Sequence, residues 1–199
     1  MENSDILAKF IKNLQQVPYL ASKNIYRVTS YFLEMEEEKC ELFCANLLQM
    51  KNKLIQCNKC YIWQEKDREC SYCDSPKRDL SQICIVETWQ DFLIIEKSSD
   101  YNGIYHLLGG SICPLEGVGP EDLRISELIA RVKIENFKEL ILALNQTPEG
   151  EATAAYIADK LKNFDLEITC LAKGVPIGSS LEFLDRLTLN KALKDRRPF

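Results

Sequence analysis

Cys57 and Cys60, then Cys70 and Cys73, make two Cys-x-x-Cys pairs separated by nine residues. Four thiolates at that spacing can close a tetrahedron around Zn2+. Each two-residue spacer forms a tight knuckle that points two sulfurs at one ion. The connection over 61–69 is short and mostly polar, so it reads as a small hairpin without a core of its own, held together by the metal. Two disulfides are the alternative. Residues 1–5 are acidic and polar, however, and Lys9 and Lys12 interrupt the apolar residues that follow. No export leader is therefore expected, an oxidising compartment has no support, and a cytoplasmic location follows. Four cysteines leave no open coordination position, so the zinc is structural and not catalytic.

The elements that must carry this site belong to a chain of 199 residues, 46% hydrophobic, with formal net charge −5. Such a chain can bury one core and one or two satellites. No apolar run approaches the roughly 20 residues of a membrane span. The negative charge argues against coating nucleic acid by bulk electrostatics, so any nucleic-acid contact has to be local. Cys40, Cys44, Cys84, Cys113 and Cys170 sit among apolar neighbours and are expected to be buried free thiols; only Cys40 and Cys44 share helical spacing.

Helical periodicity covers 6–17, with Ser4 or Asn3 as cap, and Pro18 ends it. A second helix follows with Ile25, Val28, Phe32 and Leu33 on one face and Ser22 as cap. A third, over 36–54, directs Cys40, Phe43, Leu47 and Met50 inward behind an acidic first turn. Beyond the cysteines the pattern alternates. Ile83-Cys84-Ile85-Val86, Tyr105-His106-Leu107-Leu108, 140–144 and 167–171 read as strands, and 89–97, 121–132 and 149–163 as helices. Alternation of this kind implies a parallel sheet covered on both faces, with ligands received beyond the carboxyl ends of its strands. Glu87, Glu149 and Glu151 stand just past such ends.

Several stretches, in order, resemble the RecR family of bacterial recombination mediators. They are the paired cysteines followed by Ser75-Pro76-Lys77-Arg78, the Ile85-Val86-Glu87 strand end, and Tyr105-His106-Leu107-Leu108-Gly109-Gly110. Then come residues 114–120 (PLEGVGP) and 149–154 (EGEATA), Gly174-Val175-Pro176-Ile177-Gly178, and Leu181-Glu182 with Asp185. The resemblance implies a mixed α/β chain in four parts: a helix-hairpin-helix-like module at 1–54, a four-cysteine zinc finger at 55–79, a Toprim domain at 80–173 and an oligomerisation segment at 174–199. It further implies a homo-oligomer, a tetrameric ring able to act as a DNA clamp, with RecO and in many bacteria RecF as partners.

Lys23 and Arg27 stand where the family carries its basic pair, and four residues on a helix put them on one face, so they are the DNA-contact candidates. The turn before them departs from the family, with Tyr19 and Ala21 in place of glycines and Ser22 in place of a proline. Close backbone approach to a phosphate is thereby put in question. Without a DNA role, the pair is ordinary solvated surface.

Glu87, Glu149 and Glu151 match the acidic positions that hold Mg2+ in Toprim enzymes, and three hard oxygen ligands could bind such an ion. Alternatively, Glu149 and Glu151 simply open a helix at its positive end. The resemblance implies a Toprim fold used to bind RecO, with no catalysis, and the acidic cluster then receives a basic partner surface. Lys59, Lys66, Arg68, Lys77 and Arg78 are expected to offset the charge of the thiolates. His106, the single histidine, is expected to pack in the core or face a partner. The glycines over 109–119 lack the Lys-Ser/Thr of a phosphate-binding loop. The apolar tail can complete the core of its own chain, whereas the resemblance implies that it packs on a neighbouring subunit, and its basic end, Lys194, Arg196 and Arg197, could face DNA or solvent.

The expected function is a non-enzymatic repair mediator, nucleoid-associated when active, that joins RecO, and RecF where the organism uses it, at gapped or single-stranded DNA and helps load RecA. A Mg2+-dependent Toprim enzyme and a zinc scaffold that never touches DNA are its rivals.

Overall fold

The computed structural model describes residues 4–98 and 100–196. Asn3 and Arg197, named above as a cap and as part of a basic end, lie outside the described residues. The chain divides into two compact units, 1–54 and 55–199.

The first unit holds α1 (Asp5–Gln15), α2 (Ser22–Glu34) and α3 (Glu37–Lys53). Ser4 caps α1, its hydroxyl accepting from the Leu7 N–H. Ser22 is not a cap. It is the first residue of α2, and Ala21, which precedes it, has no side-chain oxygen to offer. Edge-to-face contacts link Phe10 to Phe32, with centroids 5.8 Å apart, and Phe32 lies 5.3 Å from Phe43. Only Ile25 and Thr29 of α2 are buried, and α1 and α3 bury none of their described residues. The inward face expected for α3 is therefore not found: Phe43, Leu47 and Met50 are about half exposed, and Leu33 of α2 faces solvent. Three short helices have too little interior to hide every apolar side chain that the helical period provides.

The second unit is built on four parallel strands in the order β4-β3-β5-β6, comprising β3 (Asp79–Val86), β4 (Gly103–Leu107), β5 (Glu139–Leu142) and β6 (Glu167–Cys170). Crossovers are α4 (Trp89–Ser98), α5 (Ile125–Ile134) and α6 (Pro148–Leu161). Strand alternation sorts the core into two layers. Ile83, Ile85, Ile104, Leu140 and Leu142 join Leu128, Val132, Ile157 and Leu161 from α5 and α6 on one face. Cys84, Val86, Tyr105 and Leu107 join Phe92 of α4 on the other, together with all four paired cysteines and Ile62. The metal-ligand segment thus completes the cover that α4 leaves unfinished.

Helix α5 begins later than the periodicity suggests, because Pro120–Asp122 forms a 3-10 turn closed by the Gly119 N–H donating 2.8 Å to the Asp122 carboxylate. After β6 come a 3-10 turn at Leu181–Phe183 and α7 (Arg186–Lys194). Leu181, Phe183, Leu187 and Leu193 are exposed, so this tail does not complete the core of its own chain. Among the described residues, no helix is long and apolar enough to cross a membrane. Of the five remaining cysteines only Cys84 is buried, and burial pushes its thiol up to about 12. Cys40 and Cys113 are half-buried, while Cys44 and Cys170 are exposed, contrary to the expectation of five core thiols.

Candidate metal centre and strand-end carboxylates

The Sγ atoms of Cys57, Cys60, Cys70 and Cys73 all lie within 4.8 Å of one another, and all four side chains are buried. Cys57 and Cys73 are 3.6 Å apart, as are Cys60 and Cys70. These are not disulfides, whose sulfurs stand roughly 2.05 Å apart. A regular tetrahedron with metal–sulfur bonds of about 2.3 Å has edges of roughly 3.8 Å, so the sulfurs are already spaced for one ion. Four thiolates this close need a cation between them.

Local backbone structure makes the first knuckle. The Cys57 N–H donates 2.9 Å to the Ile62 carbonyl, the Tyr61 N–H donates 3.0 Å to the Cys57 carbonyl, and Tyr61 takes φ 63° to close the turn. The flanking β1 (Leu54–Gln56) and β2 (Trp63–Glu65) pair across this knuckle, so the segment after Tyr61 does not fold back on itself as a separate hairpin. The centre is tied to the sheet by the Leu107 N–H, which donates 3.0 Å to the Cys60 carbonyl.

The nearby cations mostly have carboxylate partners or face solvent; Lys59, whose pKa is raised by its hydrogen bond to Asp74, also feels the charge of Cys73. Lys59 pairs with Asp74 at 2.6 Å, Arg68 with Glu65 at 2.9 Å, and Arg78 with Glu96, its guanidinium lying over the Tyr72 and Tyr105 rings. Lys66 and Lys77 are exposed. Backbone contributes as well: the Lys59 N–H donates to Cys57 Sγ at 3.4 Å.

Within the sheet, β3 and β5 are neighbours whose crossovers run to opposite sides, which opens a crevice past their carboxyl ends. Glu87 follows β3 and is buried. Asn145, just past β5, donates to both of its oxygens, from its backbone N–H at 2.7 Å and from its side-chain amide at 2.8 Å. Glu149 and Glu151 lie in the first turn of α6, capped by Thr147, whose hydroxyl accepts from the Gly150 N–H at 3.1 Å. Glu151 pairs with Lys173 at 2.5 Å, and that contact holds its carboxyl below the usual range. Among the described residues the cysteines are the one set of three or more metal-ligating side chains with converging donor atoms; the three glutamates do not form such a set.

Asn145 escaped the sequence reading, although an amide directly after a buried strand was a visible signal. Gly150 did too: a Cβ there would stand 2.1 Å from the Asn145 carbonyl oxygen and 2.9 Å from Glu87 Oε1, so only glycine lets α6 approach the crevice. His106 is fully buried. Its Nε2 lies 2.8 Å from the Arg124 carbonyl, its ring meets Tyr61 edge-on, and burial lowers its pKa to about 4. Arg124 stacks over Tyr61 at 4.6 Å and donates 3.0 Å to Gln56, fastening the knuckle to the loop before α5.

In the first unit, Lys23 and Arg27 lie one turn apart on α2, and both are exposed. The turn before them runs from Val17 to Leu20, whose N–H donates 3.3 Å to the Val17 carbonyl, and Tyr19 adopts φ 65°. Tyrosine therefore takes a left-handed conformation that costs an L-residue about 1–2 kcal/mol.

A parallel sheet with acidic residues at its switch point and a buried four-cysteine centre defines a Toprim protein with an attached metal site. A Toprim domain model matches residues 81–172, and a model of the RecR C-terminal segment matches 174–197. The chain is 39% identical over 194 residues to Recombination protein RecR of Syntrophobacter fumaroxidans, covering 98% of this chain and 96% of that protein. It is 40% identical over 198 residues to Recombination protein RecR of Chloroherpeton thalassium, covering 97% of each. With that of Herpetosiphon aurantiacus it shares 39% over 191 residues, covering 96% of this chain and 93% of the relative. The chain belongs to the RecR family of recombination proteins.

Proposed function

We propose that this protein is a non-enzymatic mediator of DNA repair by recombination, working in the cytoplasm as a Zn2+-stabilised ring of subunits that holds gapped or single-stranded DNA. Its end-to-end kinship with proteins named for recombination carries this reading. Lys23 and Arg27, repeated around a tetrameric ring, supply weak phosphate contacts whose avidity does not require a basic monomer. The exposed apolar side chains of α3 and of the tail supply surface for subunit contacts.

RecO, and RecF where it is used, docks at the strand-end crevice, and the assembly assists RecA loading. Glu149 is the carboxylate available to a basic partner, and Glu151 can join it by exchanging Lys173 for a partner cation. Glu87 acts through Asn145, holding the two strand ends at one spacing. With Glu87 occupied by Asn145 and Glu151 by Lys173, a bound Mg2+ would have to displace existing contacts, which favours docking over phosphoryl transfer.

The test combines the pure protein with labelled gapped DNA, Mg2+ and RecO, and follows both mass in solution and integrity of the DNA. The expected result is an oligomer whose salt-sensitive DNA binding is lost in the Lys23→Ala/Arg27→Ala variant, with RecO bound and the DNA intact. A monomer indifferent to RecO would overturn the reading, as would DNA cleavage abolished by Glu149→Gln.

A further inference from the structure

The turn between α1 and α2 carries an aromatic ring that the fold does not use. Pro18 and Tyr19 occupy its two central positions, with φ 65° at Tyr19, the pattern of a type II turn whose second central residue is ordinarily glycine. Tyr19 gains no burial in exchange, because its side chain is 102% exposed. One turn on, α2 presents Lys23, Tyr26 and Arg27 at i, i+3 and i+4, all exposed, with Tyr26 at 54%. The surrounding sequence is electrostatically distinct. Residues 6–33 contain four lysines and arginines and no carboxylate, in a chain of net charge −5. Among the described residues, the ion pair that involves this stretch is Lys9 with Asp5, at 2.7 Å, on a different helix from Lys23 and Arg27.

We propose that Tyr19 and Tyr26, interleaved with Lys23 and Arg27, form a platform for unpaired nucleotides. The cations take phosphates and the rings stack on bases. Every base offers a π face, so stacking is indifferent to sequence, but in a duplex those faces are already occupied. The platform therefore selects single-stranded over double-stranded DNA. It rests on the reading of Lys23 and Arg27 as DNA contacts and adds to it the class of strand recognised.

Fluorescence anisotropy with the full chain tests this on three probes of equal length: an oligothymidine, a duplex and an abasic strand. Tyr19→Gly suits the backbone and removes only the ring. It should weaken oligothymidine binding about tenfold while changing duplex binding by less than about twofold, and Tyr19→Phe should bind like the parent. The abasic strand should bind the parent no better than the oligothymidine binds Tyr19→Gly. Salt dependence should be unchanged in Tyr19→Gly and shallower in Lys23→Ala/Arg27→Ala. An unchanged oligothymidine affinity in Tyr19→Gly, or equal losses on oligothymidine and duplex, overturns the platform. If the double cation variant weakens every probe while Tyr19→Gly and Tyr26→Ala weaken none, the platform alone falls. If the double variant binds all three probes like the parent, the DNA-contact reading falls and the platform with it.

Discussion

Within residues 55–199, β3 alone puts Ile83, Cys84, Ile85 and Val86 out of solvent, and both faces of its sheet are covered. Within residues 1–54, three helices bury only Ile25 and Thr29. The α/β unit has a two-layer core into which the metal centre is built; the helical unit has a single row of aromatic contacts and leaves much of its apolar surface outside. The first can specify its structure from within. The second is poised to gain stability from whatever covers it, which suits the contact role proposed for it.

Removing the metal should break this contrast most severely. The four cysteines share a core layer with Phe92 and Tyr105, so their collapse reaches the sheet and not merely a satellite knuckle. Zinc binding by such sites supplies on the order of 10 kcal/mol to folding. Cys60→Ser, or a strong chelator, should abolish one equivalent of bound zinc per chain and the cooperative melt of the α/β unit. Cys40→Ser/Cys44→Ser should alter neither. Elemental analysis and thermal circular dichroism check both halves, and a metal-free protein with an unchanged melt would sever the centre from the core.

A matched pair of substitutions sharpens the contrast. Phe92 is wholly buried beneath the metal segment, and truncating it to alanine should cost roughly 3–5 kcal/mol in denaturant unfolding. Phe43 is 48% exposed, so Phe43→Ala should cost about 1 kcal/mol in dilute protein. If α3 lies between subunits, the same change should also lower the mass in solution. Equal costs at both positions would erase the distinction between the units.

Acid should act on the α/β unit through His106. Its folded pKa of about 4 lies below the roughly 6.5 of an exposed imidazole, so the unfolded chain binds the proton first. Stability from neutral His106 is complete above pH 6.5 and drains away as pH falls towards 4, by roughly 3 kcal/mol in all. His106→Gln retains a donor for the Arg124 carbonyl and does not titrate. Its unfolding free energy, measured across that range, should fall less steeply than the parent's, and parallel curves would remove His106 from the acid response.

What could be read in the sequence follows the same division. In the α/β unit, periodicity found the four strands of the parallel sheet and its three crossovers because each apolar run meets a real interior, while the short β1 and β2 around the knuckle carry no such run; the cysteine spacing identified the metal set. In the helical unit the same periodicity located the helices but misplaced Leu33, Phe43, Leu47 and Met50, since a pattern states which face is apolar and not whether anything covers it. The pairing of Glu87 with Asn145 spans 58 positions in sequence and becomes visible only when β3 and β5 lie side by side. Lys59 and Arg78 were assigned to the thiolates alone because proximity to the cysteines in sequence draws attention away from Asp74 and Glu96, which they pair with in the fold.

The smallest test uses two helix caps of the same chemistry. Thr147 caps α6 with an accepted bond of 3.1 Å, and Ser4 caps α1 with one of 3.4 Å. Replacing either by alanine removes about 1 kcal/mol from its own helix. Helix α6 contributes Ile157 and Leu161 to the core and aligns Gly150 against Glu87, so Thr147→Ala should appear in global unfolding at nearly full value. Helix α1 buries no residue, so Ser4→Ala should fray α1 locally, raising amide exchange over its first turns without moving the midpoint of the main transition. A Ser4→Ala variant that shifts global unfolding as far as Thr147→Ala would mean that α1 is cooperative with the α/β core, and the division into an internally specified unit and a contact-dependent one would have to be given up.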